Sequence, residues 1–189
     1  MQYFGNAGVF LVKIVFDFFI FLVLLRFLLQ WTRADFYNPF SQFVVKVTNP
    51  VLRPLRKIIP GLFGLDMAAL LLAIVLSFLQ IFLMLLLNGS GGNALGILLL
   101  AIGEVLNTLK FIFIVAIFIE IIASWVAPHS GHPIVRLALS ISSPLMRPAR
   151  NLIPPMGGID FSPIAVLVGL QLFGMLVIQP ILDAGRALL

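Results

Sequence analysis

Four stretches of this chain, roughly residues 9–31, 67–87, 104–126 and 162–182, consist almost wholly of apolar side chains. Each is close to the ~20 residues that carry an α-helix across the hydrocarbon core of a bilayer. Lipid offers backbone N–H and C=O groups no water, so a run of this kind satisfies them internally as a helix. Hydrophobic residues make up 61% of the chain and charged residues 10%, against about 25% charged in an average soluble domain. A water-soluble surface cannot be built from that supply. The expected fold is an all-α membrane protein with four main transmembrane helices. The N-terminal MQYFGNAG lacks the basic n-region of a cleavable signal, so the first run is read as a retained span.

Sliding the sequence on itself by 94 residues aligns PVLRPLRKIIPGLFGLD (Pro50 to Asp66) with PLMRPARNLIPPMGGID (Pro144 to Asp160), with eight identities in seventeen positions and no gap. The same offset pairs Trp31 with Trp125 and Pro39 with Pro133. Two tandem repeats, 1–94 and 95–189, therefore fill one membrane domain. Each reads as a helical hairpin whose two spans are joined by an interfacial amphipathic helix and a Pro-rich basic loop. An even number of spans per unit makes the repeats parallel rather than inverted.

Within that joining segment, Phe40, Phe43, Val44 and Val47 fall on one helical face, and Ile134, Leu137, Ala138 and Ile141 repeat it. Pro39, Pro50, Pro54 and Pro60 predict repeated breaks and exclude a long continuous helix there. Gly61 or Gly64 supplies the turn back into the bilayer. The uncharged NGSGGNA, 88–94, links the repeats. Leu95 to Gly103 makes the third apolar region longer than one perpendicular span, so it is expected to tilt, kink or lie in the interface.

Charge sets the expected orientation. Arg33, Lys46, Arg53, Arg56, Lys57, Arg136, Arg147 and Arg150 are eight of the twelve Lys and Arg residues, and the 88–94 turn has none. The positive-inside rule then places the motif loops in the cytoplasm, both termini outside it, and Trp31 and Trp125 at headgroup depth. The pI near 10.3 accordingly points to the membrane and its anionic phospholipids, with another membrane or envelope protein as a further partner, and not to nucleic acid.

The doubled R-P-x-R unit is the sharpest chemical signal. Arg53, Arg56 and the adjacent Lys57, with Arg147 and Arg150, offer donors to phosphate or carboxylate groups. The plainer reading is that they anchor topology among headgroups. Asp66 and Asp160 precede the second span of each unit, where a carboxylate caps free helix N–H groups. Arg26 and Glu120 are equivalent under the offset and are expected to pair between repeats at similar depth, with separate snorkelling as the alternative. Lys13 and Asp17 are spaced to pair on one helix face. His129 and His132 invite a metal or haem reading, but their repeat equivalents are Asp35 and Asn38 and no further ligand cluster accompanies them. There is no cysteine, nucleotide-binding glycine loop or catalytic motif, so no enzyme activity and no cofactor is expected.

WTRADFYNPFSQFVVKVTNPVLRPLRKIIP, together with the second copy ending NLIPPMGGIDFSP, resembles the YggT family of bacterial membrane proteins across essentially the whole chain. The second copy departs from the first in having His132 for Asn38 and Pro155 for Gly61. The resemblance implies a bacterial inner-membrane location and links to osmotic-stress tolerance and cell-division or envelope processes. Its plastid and cyanobacterial members imply a role in haem attachment to cytochrome b. The expected function is a non-enzymatic scaffold or assembly factor in envelope or osmotic-stress maintenance. The alternatives are a small solute or ion transporter with a polar path lined by Arg26 or Glu120, and a haem-attachment assembly factor.

Overall fold

The first span, α1 (Gln2–Trp31), ends in a left-handed turn at Arg33, φ 52°. There the Ala34 N–H donates to the Leu29 carbonyl at 2.9 Å and the Arg33 N–H to that of Gln30 at 3.2 Å, satisfying carbonyls the helix end leaves open. Four residues on, Asn38 accepts from the Phe40 N–H and starts α2 (Pro39–Ile58), with Pro39 in the first turn where its missing N–H costs nothing. This computed structural model describes residues 2–62, 64–126, 131–154 and 160–189, with side chains from residue 7 onward.

Helix α2 corrects the expectation of a broken segment, because it runs continuously through Pro50 and Pro54. The two prolines lie one turn apart on an exposed face with Lys46. The helical bonds they delete are those to the Lys46 and Pro50 carbonyls, groups on the side of the helix turned away from the core, so the helix survives the loss. Pro60 does end it: Ile59, which precedes it, is extended at φ −112°. The turn back uses Gly64 at φ 80°, a conformation open to glycine. Ser41, Val44, Thr48 and Leu52 face inward, while Phe40 and Phe43 are exposed. Small polar side chains that bond locally sit closer to the spans than bulky aromatics can.

Helix α3 (Met67–Leu87) completes the first repeat and packs along α1. The second repeat follows the same order: α4 (Ala94–Val126), α5 (Pro133–Leu152) and α6 (Ser162–Phe173). The α5 helix likewise continues through its internal Pro144 and Pro148. The last span carries a π turn, Gly174–Ile178, before α7 (Gln179–Ala187). It ends two residues before Pro180, whose missing N–H leaves the Leu176 carbonyl without its helical donor. The region from Leu95 to Gly103 is continuous with the span that follows; α4 is one helix of 33 residues. At 1.5 Å per residue it is about 50 Å long, so it overshoots a ~30 Å core.

Among the described residues, four helical stretches are long and apolar enough to cross a membrane: Ala7–Trp31, Met67–Leu87, Ala94–Val126 and Ser162–Ala187. The repeats meet where α3 packs on α4, with α1 also touching α4 and α5. Val23, Leu24, Ala73, Ile112 and Ala116 form part of the buried apolar layer at mid-depth. Trp31 sets its ring edge against Phe113 across the repeats, with centroids 6.3 Å apart. Helices α2 and α5 lie at one end of this bundle; the 88–94 turn lies at the other.

Candidate functional site

Where each joining helix meets its hairpin, the structure places a bonded polar cluster, and the two clusters are built on one plan. In the second repeat, Arg150 at the end of α5 reaches two elements at once. Its Nε donates to Asp160 Oδ2 at 2.9 Å, just before α6, and its Nη2 donates to Glu120 Oε1 at 2.6 Å, on α4. Ser142 donates to the other Glu120 oxygen. Glu120 is buried, and these two partners occupy both of its carboxylate oxygens. Arg150 is held above the ordinary arginine value: burial lowers it, but hydrogen bonds and attraction to Asp160 and Glu120 win. Asp160 is held below the usual carboxylate range: burial raises it, and hydrogen bonds from Arg150 and Ser162 outweigh that.

In the first repeat, Arg56 is paired with Asp66 through both Nε and Nη2, and Nη2 also donates to Gln30 Oε1 at 3.2 Å. Asp66 accepts from the Ala69 N–H at 3.3 Å and so caps α3 as well. Asp160 accepts from the Ser162 N–H at 2.9 Å in the second copy. Position 26, equivalent to Glu120, is an arginine and cannot accept from Arg56. Gln30, one turn along α1, takes that place. Arg26 itself donates weakly to Thr48 at 3.4 Å, and its buried Nε has no hydrogen-bond partner.

The Arg26–Glu120 pair expected between repeats is thus not formed among the described residues, because each residue is engaged inside its own repeat by a hydroxyl on the joining helix, Thr48 or Ser142. A single ion pair across the interface is replaced by two separate braces. The two halves of each R-P-x-R unit also separate in role. Arg56 and Arg150 are spent on internal carboxylates, whereas Arg53, Lys57 and Arg147 are exposed and form no ion pair among the described residues. The signal for the braces was present in the sequence, as an Arg and an Asp ten residues apart in both copies.

The remaining sequence candidates fall elsewhere. Lys13 and Asp17 do not pair; Asp17 accepts instead from Gln80 on α3 at 2.6 Å. His132 caps α5 by accepting from the Ile134 N–H, and His129 lies outside the described residues, as does Pro155. No group of three or more metal-ligating side chains occurs among the described residues. Between the repeats, Asn38 donates from Nδ2 to the Pro133 carbonyl at 2.7 Å.

These features define a multi-pass helical membrane protein of two parallel repeats, each braced by an arginine between its joining helix and the start of its second span. A family model for CCB3/YggT matches residues 5–87 and again 99–181, the two matches standing 94 residues apart at both ends. The chain belongs to the CCB3/YggT family. An uncharacterized protein of Pseudomonas aeruginosa is 44% identical over 177 residues, covering 93% of this chain and 90% of the relative. The uncharacterized protein YggT of Escherichia coli strain K12 is 37% identical over 185 residues, 97% of this chain and 96% of its own length. An uncharacterized protein of Vibrio alginolyticus is 39% identical over 168 residues, covering 88% and 90%. No solved structure matches the chain significantly.

Proposed function

We propose that this protein is a non-enzymatic scaffold of the bacterial inner membrane. In this reading the exposed basic side chains at the α2/α5 end hold anionic phospholipid headgroups and present that end to an envelope protein. The observation that carries it is the division of labour among the arginines. Arg56 and Arg150 fix the joining helices against the spans, which leaves Arg53, Lys57 and Arg147 exposed on ordered helices, with Lys46 and Arg136 exposed nearby. Rigid presentation of unpaired cations suits recognition of phosphate groups. The charge bias also supports a cytoplasmic position for this end, with both termini on the other side. A place in envelope or osmotic-stress maintenance rests on the family resemblance.

The test uses tagged protein purified gently from native membranes beside R53A/K57A/R147A, a variant that spares both braces. Co-purifying lipids and proteins are identified by mass spectrometry. Loss of anionic lipid, of a specific protein, or of both from the folded variant is the expected result. Identical lipid and protein profiles would refute the docking role.

A further inference from the structure

A second polar region lies at the end of the bundle away from the braces, in a cleft of about 860 Å³ between α1, α3, α4 and α7. That volume is within the range of ordinary ligand pockets. Lys13 and Asp17 precede Trp31 by 18 and 14 residues on α1, which puts them about 27 and 21 Å from that end of the helix. Neither Arg26 nor Glu120 lines the cleft.

Among the groups lining this recess, Ser77 and Lys110 make no side-chain hydrogen bond or ion pair among the described residues, and Asp17 has a hydrogen bond but no cation. Ser77 is 1% exposed, lines the cleft, and its Oγ makes no hydrogen bond. Lys110, on α4, forms no ion pair or hydrogen bond among the described residues; its Nζ lies over Gly174, where an added Cβ would sit 2.7 Å away. Asp17, on α1, receives a bond from Gln80 to Oδ1 and has no cation within ion-pair distance. A carboxylate and an ammonium at span depth are costly when uncompensated. Here they line one recess from different helices without pairing, with Lys13 on the helix of Asp17, Glu104 on the helix of Lys110, and Arg186 also in the lining. The room beside Lys110 is made by Gly174, which opens the π turn, an element often found at functional positions.

We propose that this cleft binds a zwitterion, its ammonium at Asp17 and its anionic end at Lys110 and Ser77. The lining carries both signs of charge, Asp17 and Glu104 against Lys13 and Lys110, so one molecule carrying both charges complements it better than a simple cation or a simple anion. Two sources share this chemistry, a free amino-acid zwitterion and a phosphoethanolamine lipid headgroup. The cleft is at the opposite end from the docking surface proposed above and stands or falls independently of it.

The experiment measures the thermal midpoint of the full-length protein in detergent micelles. The probes are glycine, dihexanoyl phosphatidylethanolamine, and dihexanoyl phosphatidylglycerol as an anion lacking the ammonium. At least one zwitterion should raise the midpoint saturably, by on the order of 3 °C at tenfold its Kd. S77A, which removes a hydroxyl without a partner, and Lys110→Met should keep a folded protein and at least halve that shift. A response to glycine identifies a free zwitterion, and a response to phosphatidylethanolamine alone identifies the headgroup. No response to either, an equal response to phosphatidylglycerol, or a shift that survives both variants would overturn the proposal.

Discussion

Asn38 ties the two repeats together: its carboxamide accepts from the Phe40 N–H to cap α2 and donates across the repeat boundary to the Pro133 carbonyl at 2.7 Å. The side chain is buried, so both bonds are made away from water. Aspartate caps a helix as well as asparagine does, but it cannot donate, and at neutral pH it would set a carboxylate oxygen against the Pro133 carbonyl. N38D should therefore lower stability by about 1–3 kcal/mol, the cost of leaving a buried polar group without its bond. N38A, which also loses the cap, supplies the comparison. Denaturation midpoints in detergent check this, and an N38D midpoint equal to wild type would show that the tie contributes nothing.

The position shared by Arg26 and Glu120 separates two accounts of the same charges. If they paired across the repeats, each single reversal would be damaging and the double swap would recover. The observed braces predict something else. R26E places beside Arg56, Asp66 and Thr48 the same groups that Glu120 has in Arg150, Asp160 and Ser142, so it should be tolerated. E120R puts two arginines on one aspartate with Ser124, not glutamine, at the position equivalent to Gln30. It should lose on the order of 3 kcal/mol, typical of breaking a buried pair. R26E/E120R should then be no more stable than E120R alone, as independent sites require. Yield and thermal midpoint of the four proteins decide between the accounts.

Local pattern carried the large features of this fold and failed where bonding decided the outcome. Apolar runs of span length and the 94-residue offset were enough to place four helices and two parallel units, because lipid leaves a backbone few options. The prolines of α2 misled because their effect depends on which face they occupy: Pro50 and Pro54 share the exposed one, a fact settled by packing. Which side of α2 turns to the spans was likewise settled by bonding: Ser41 and Thr48 bond to the Asp35 and Val44 carbonyls and turn inward, while Phe40 and Phe43 are exposed. The offset correctly marked Arg26 and Glu120 as equivalent. It could not show that each is closer to its own joining helix than to the other.

Acid should release the second brace. Asp160 has a folded value below the ordinary one, so the unfolded chain binds more protons as pH falls. Its contribution is complete above the usual aspartate value of about 3.9 and disappears as pH drops through the lowered one. Arg150, raised above the usual arginine value, contributes throughout the neutral range and loses its charge only in strong alkali. Wild type should thus exceed D160N in thermal midpoint near neutrality, and the gap should close at the acid end of a titration. A gap independent of pH would show that Asp160 acts through packing and not through its charge.

The second hairpin closes on glycines. A Cβ at Gly96 would lie 2.9 Å from the Gly185 carbonyl oxygen, and one at Gly185 would lie 3.0 Å from that of Gly96 and 2.8 Å from Leu100 Cγ. Backbone meets backbone there, so no side-chain rotation can relieve a substitution, and α4 and α7 must separate. Small residues at such crossings let transmembrane helices approach, and in lipid that packing replaces the hydrophobic drive available in water. G96A and G185A should each cost about 1–3 kcal/mol, as overpacking does. Gly169 provides the control: nothing lies within 4 Å of an added Cβ, so G169A should be neutral or slightly stabilising through its better helix propensity. Because both damaging substitutions force open one contact, G96A/G185A should cost less than the sum of the singles. Midpoints of the four variants against wild type test the contact directly, and equal behaviour of G169A and G185A would remove it from the account of how the second repeat holds together.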